Sequence, residues 1–291
     1  MTHVQKISVC CAALAMLPAD LAGANPEEMR AFLPKLIREA AAEGAVLLKN
    51  DGGALPLDAG RRVAVFGRVQ VDTFHCGNGS GGEVRAPYRI SILEGLRANP
   101  NIRVDEELAA FYEAWTRDNP AEEGTWGNWP RFHPEMPLIP EIAARFAERN
   151  DTALVVIGRA AGEERECLLE EGSYFLTQEE RAMLKTVSAA FRRVVVLLNI
   201  GNIMDMSWIE EFDPDAVLLV WQGGMEAGSA VADLLSGDVS PSGKLAATIA
   251  RSCEDWPSAR DFGGKEFNNY SEDVFVGWRW FETFAPDRVL Y

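Results

Sequence analysis

Residues 154–163 read Leu154-Val-Val-Ile-Gly-Arg159-Ala-Ala-Gly-Glu163. A β-type apolar run ends in glycine and opens into a loop rich in acids, which continues through Glu164-Arg165-Glu166 and Glu170-Glu171-Gly172-Ser173-Tyr174. A near-continuous Val/Leu/Ile run is the mark of a strand buried on both faces. Open α/β sheets keep their ligands outside the carboxyl ends of such strands, and this loop delivers its carboxylates there.

Outward from this stretch the pattern repeats. Strand-like runs 153–157, 194–199 and 216–221 alternate with helical patterns 178–191 and 226–235, and 63–66 reads as a further buried strand. Before them, Asn25-Pro26-Glu27-Glu28 is a helix start, with apolar residues at helical spacing through residue 40. Helices are also expected over 90–98, 106–115 and 141–148, with glycine-rich loop over 72–89 and aromatic loop over 120–140. The fold expected is α/β, a mostly parallel sheet sandwiched between helices. From Pro241 the pattern weakens, and 244–249 and 274–281 are expected to form an irregular or antiparallel C-terminal edge. No linker divides the chain, so 25–291 is read as one domain.

A net charge of -16 argues against nucleic acid and anionic membrane surfaces, which need a basic face. It is compatible with a neutral substrate. Five cysteines, none in a Cys-x-x-Cys pair, and three scattered histidines give no disulfide framework or zinc spacing. Neither metal nor cofactor is expected. In residues 1–24, Lys6, the apolar run 7–17 and Ala22-Gly23-Ala24 resemble a secretory signal, but Pro18 and Asp20 interrupt it. A cytoplasmic protein is expected; secretion with cleavage of 1–24 is the alternative.

Gly77-Asn-Gly79-Ser-Gly81-Gly82 satisfies a dinucleotide fingerprint on paper. The strand ends ten residues too early and no helix follows at once, so a nucleotide site is excluded. A loop whose bare backbone lets a ligand approach is preferred. Gly237 to Lys244 resembles a phosphate loop, but its spacing is wrong and Leu245 replaces the hydroxyl residue. It reads as a turn. The acidic loop is either a solvated charged loop or the source of a proton-donating carboxyl. The residues alone leave both open.

Long, ordered motifs then resemble a known family. They are Glu43-Gly-Ala-Val-Leu-Leu-Lys-Asn-Asp51, Val63-Ala-Val-Phe-Gly67, Gly77 to Gly82, Val155 to Glu163 and Val194-Val-Val-Leu-Leu-Asn-Ile-Gly201. Trp221-Gln-Gly-Gly-Met-Glu-Ala-Gly228, Asp233 to Leu245 and Phe275-Val-Gly-Trp-Arg-Trp-Phe281 complete the set. The chain resembles the C-terminal α/β-sandwich domain of glycoside hydrolase family 3, with reversed domain order. The resemblance implies a retaining β-glycosidase, β-glucosidase-like, acting on a β-linked glucoside or oligosaccharide. Its nucleophile is an Asp on a (β/α)8 barrel, and its acid/base Glu comes from the sandwich. Glu163 is the expected acid/base, with Glu164, Glu170 and Glu171 in reserve. Cys76, Gly77, Asn78, Gly79, Ser80 and Arg159 are the expected substrate contacts. No barrel motif is visible within these residues, so the chain is expected to be a fragment lacking the nucleophile and inactive alone. The alternative is a non-catalytic carbohydrate-binding or interaction module. The isolated chain is expected to expose an apolar patch where the barrel would sit; in the alternative, an apolar face would dock a partner.

Overall fold

The computed structural model describes residues 26–291 apart from Glu83, Glu164, Arg165, Glu166 and Lys265. The expected signal segment 1–24, the Asn25 cap and the reserve carboxyl Glu164 lie outside the described residues. Six strands form one sheet: β1 (Val46–Asn50), β2 (Arg61–Phe66), β3 (Ile102–Val104), β4 (Thr152–Arg159), β5 (Arg193–Ile200) and β6 (Ala216–Leu219). Their spatial order is β1-β6-β5-β4-β2-β3. All neighbours are parallel except β1, which runs antiparallel to β6.

The helices are α1 (Pro26–Gly44), α2 (Ile92–Ala98), α3 (Glu106–Asp118), α4 (Pro140–Ala147), α5 (Gln178–Ala190), α6 (Trp208–Phe212), α7 (Ala227–Ser236) and α8 (Trp278–Phe284). Their starts follow local chemistry. Ser91 with Glu94, and Thr177 with Glu180, close capping boxes on α2 and α5, and Asp105 caps α3.

The pleat sorts each central strand onto two cores. On β4, Val155 and Ile157 pack with α3, α4 and α5, while Leu154 and Val156 pack with α2 and α7. The period of two therefore predicts the side on which any later β4 residue lies. On the second face α2 and α7 approach closely. A side chain at Gly95 would come within 2.0 Å of the Gly228 carbonyl oxygen, and one at Gly228 within 1.9 Å of that of Ser91. A bidentate Arg38–Asp233 pair, both bonds 2.5 Å, ties α1 to α7.

The antiparallel member of the sheet is thus the first strand, not the tail. Residues 244–249 form no strand, and 274–281 run into α8 rather than a strand. The tail is irregular, and among the described residues an isolated bridge joins Ala250 to Val289. Its apolar residues find no sheet edge. Phe262, Phe267, Tyr270, Val274, Val276, Trp278 and Phe284 are all exposed.

Candidate functional site

The strand order fixes where a site belongs. From β2 the chain moves outward to β3, then returns to the other side of β2 as β4. The connections leave in opposite directions at the carboxyl ends of β2 and β4, which makes this the switch point of the sheet. Two loops meet there. The glycine loop follows β2, and the acidic loop follows β4.

Gly67 starts the first loop and sits directly against β4. Its φ is +98°, and a side chain there would lie 2.1 Å from the Val156 carbonyl oxygen. Further on, Asn199 at the end of β5 clamps the loop. Its carbonyl accepts from the Phe74 N–H (2.8 Å), and its amide donates to the Phe74 and Trp221 carbonyls (3.0 and 2.5 Å). His75 is held next. The Gly224 N–H donates to the His75 carbonyl (2.8 Å), and His75 Nδ1 lies 3.0 Å from the Gly224 carbonyl. A carbonyl can only accept, so Nδ1 carries the proton. Burial pushes the pKa of this imidazole down, keeping it neutral.

The two loops then pair. Asn78 N–H donates to Ala161 O (2.8 Å), Glu163 N–H donates to Asn78 O (3.2 Å), and Asn78 bridges Gly162 in parallel fashion. On this short ladder, Glu163 Oε2 accepts from both the Ser80 N–H (2.8 Å) and the Ser80 hydroxyl (2.6 Å). Glu163 is exposed. Asn78, which pairs with the Glu163 backbone, also walls an open groove of about 430 Å³ with Phe74, His75, Cys76, Trp129 and His133. His133 stacks on Phe74 with ring centroids 4.4 Å apart. Burial, aided by nearby Arg68, pushes its pKa down to about 4.

The expected site residues therefore divide. Glu163, Gly77, Asn78, Gly79 and Ser80 meet at the switch point, and Cys76 lines the groove. Glu170 and Glu171 line a neighbouring hollow of about 360 Å³, where Glu170 faces Arg131 at 3.8 Å.

Arg159 is corrected by the structure. Its side chain is 3% exposed, and all five N–H donors are engaged within the fold. They reach Glu180 Oε1 and Oε2 (2.6 Å each) and the carbonyls of Gly158, Ser173 and Phe175. Position 159 shares the parity of 155 and 157, so the pleat turns it toward α5, where Glu180 waits. It cannot grip a substrate.

Three groups escaped the sequence reading. Asn199 could have been found, as a polar residue ending an apolar strand. The neutral His75 tether could not, because its partner Gly224 lies 149 residues away. Glu135 comes from the proline-rich stretch after α3 and is buried. It accepts from the Arg68 and Met136 N–H groups (2.8 Å each), and burial pushes its pKa up to about 8. Among the described residues, no group of three or more His, Cys, Asp or Glu is arranged to hold a metal ion. No described helix is long and apolar enough to cross a membrane.

Known proteins share this fold and sequence. The family model "Glycosyl hydrolase family 3 C-terminal domain" matches residues 45–278. A β-glucosidase of Ruminococcus albus is 46% identical over 254 residues, covering 87% of this chain and 27% of the relative. β-Glucosidase A of Butyrivibrio fibrisolvens is 36% identical over 280 residues, covering 87% of this chain and 33% of the relative. The chain thus spans about a third or less of the relatives it matches. The crystal structure of a β-glucosidase from Paenibacillus barengoltzii superposes with a TM-score of 0.86 at 52% identity, covering 88% of this chain and 28% of that one. β-Glucosidase 3B from Thermotoga neapolitana in complex with glucose gives 0.79 at 38% identity, covering 89% and 37%.

Proposed function

The chain belongs to glycosyl hydrolase family 3 through that family's C-terminal domain, and from this premise we propose that it supplies the general acid/base of a retaining β-glycosidase. The substrate proposed is a β-linked glucoside or oligosaccharide, and the residue is Glu163. In the first half-reaction Glu163 gives its proton to the departing glycosidic oxygen while a nucleophilic carboxylate takes the anomeric carbon. In the second, ionised Glu163 takes a proton from water, and that water releases the sugar. The nucleophile is proposed to come from a barrel domain seated against the sandwich, in the same polypeptide or in a companion.

One observation carries the reading: an exposed carboxyl at the switch point, held by the glycine loop beside an open groove. Retaining chemistry sets the two carboxyls roughly 5–5.5 Å apart, so the donor must sit on a protruding, well-positioned loop. The eight large apolar residues exposed along the described tail, Phe275 among them, support a partner surface, because exposed apolar patches mark docking sites. A non-catalytic sugar-binding module would rest on Trp126, which is 66% exposed and packs edge-on against Trp129. Trp129 is itself 5% exposed, so the pair offers one free ring rather than a platform.

The test is reconstitution. The chain is combined with a family barrel domain and assayed on an aryl β-glucoside. The expected result is activity that Glu163→Ala removes and azide restores, with fold and docking unchanged. Sugar affinity of the chain alone, indifferent to Glu163→Ala and without activity in the mixture, would establish the binding module instead.

A further inference from the structure

The role proposed for Glu163 requires one carboxyl in two states, protonated in the first half-reaction and ionised in the second. The surroundings favour one of them. Ser80 sends two donors, its backbone N–H at 2.8 Å and its hydroxyl at 2.6 Å, to the same oxygen, Oε2. Both bonds survive when the proton sits on the other oxygen, but they lose their charge assistance. Hydrogen bonds to an ionised acceptor are roughly twice as strong as those to a neutral one. The pair therefore stabilises the carboxylate over the acid.

The loop is shaped for this contact. Gly79 has φ +106°, and a side chain there would lie 2.5 Å from Glu163 Cβ. Only a bare backbone lets Ser80 come so near. The turn closes through the Gly82 N–H on Gly79 O (2.9 Å). A side chain at Gly82 would meet Gly77 O at 2.0 Å, so the closure is tight. Upstream, Asn199 and Gly224 fix Phe74 and His75, and Ala161 fixes Asn78. Ser80 is delivered by a frame tied to the ends of β4, β5 and β6.

We infer that Ser80 is a positioning residue that acts through Glu163, holding its carboxyl in place and favouring the ionised form that serves the second half-reaction. This rests on the reading of Glu163 as acid/base. It also moves Ser80 from the sugar contact expected from sequence to a tuner of the proton donor. The titratable and charged groups around the pair are His75, Cys76, Arg89, Glu122, Glu123 and His133 along the groove. In sequence, Glu83, Glu164, Arg165 and Glu166 adjoin the two loops but lie outside the described residues. All of these stay constant in a Ser80 variant.

The test is a carboxyl ¹³C titration of the full chain, with the Glu163 resonance assigned by its loss in Glu163→Gln. Ser80→Ala keeps the backbone donor and removes the hydroxyl, and Ser80→Thr keeps both. The midpoint is expected to rise by roughly one pH unit in Ser80→Ala and to stay near wild type in Ser80→Thr. In the reconstituted enzyme the alkaline limb of kcat/KM should move up by the same amount, with KM unchanged. An unmoved midpoint in Ser80→Ala overturns the inference. So does a raised KM with an unmoved limb, which would return Ser80 to substrate contact. A shifted midpoint alongside full activity of Glu163→Gln would instead sink the acid/base reading alone.

Discussion

Arg159 ends β4 and Glu163 stands four residues beyond it, and the fold treats them in opposite ways. Arg159 is turned inward and spends every donor on the protein. Glu163 is exposed and is held by Ser80 of a neighbouring loop. Between them lie Ala160, Ala161 and Gly162, too small to fill space. Gly162 must be bare, because a side chain there would meet Asn78 O at 2.7 Å. Charge at a strand end therefore does not mark a site by itself. What matters is whether the side chain still belongs to the pleated strand, as Arg159 does, or stands on the loop beyond it, as Glu163 does, and which partner the fold supplies.

The largest expected effect breaks the buried half of the pair. Replacing Arg159 with leucine strands Glu180 without its guanidinium and removes the link from β4 to α5. Losing one partner of a buried ion pair costs about 3–5 kcal/mol. Urea unfolding of Arg159→Leu should show that loss, while Glu163→Gln should unfold at the wild-type midpoint. Equal stability of the two variants would erase the contrast.

A comparable effect, spread over pH, concerns the buried carboxyl of Glu135. Glu135 has its folded pKa pushed up to about 8 by burial, above its value in the unfolded chain. The folded state therefore holds a proton that the unfolded state has released. The associated stability is present in full below the unfolded pKa and is lost as pH rises through about 8. Relative to Glu135→Gln, which does not titrate, the wild type should lose up to about 1.4 kcal/mol per pH unit across that window. Unfolding curves between pH 5 and 9 measure it. A constant difference would mean that Glu135 is ionised throughout, held by its two backbone donors.

The same contrast explains what the sequence disclosed. The parallel core was legible because β4, β5 and β6 are nearly unbroken apolar runs that can only be buried. β3, three residues long after an Asn-Pro-Asn turn, and α6, five residues long, were too short to show a period. The tail misled because 244–249 and 274–281 carry strand-like composition, yet a strand needs a continuous paired neighbour; Ile249 and Ala250 meet 289–291 in an isolated bridge, and 274–281 run into α8. In the site, the glycine loop and Glu163 were legible from their places after two strands. Arg159 was misread because residue type is visible in a sequence and its partner is not. Glu180 lies 21 residues downstream, on another element. Glu135 was invisible because a carboxylate between prolines looks solvated until tertiary packing encloses it.

The claim that Glu163 donates a proton to the departing oxygen is tested most directly by varying the leaving group in the reconstituted enzyme. A dinitrophenyl β-glucoside leaves without protonation, whereas an alkyl β-glucoside does not. Glu163→Gln should lower the rate of the glycosylation step by roughly 10²–10⁴-fold on the alkyl substrate and leave it nearly unchanged on the dinitrophenyl substrate. An equal fall on both would show that Glu163 supports binding or structure rather than proton transfer, and would contradict the account.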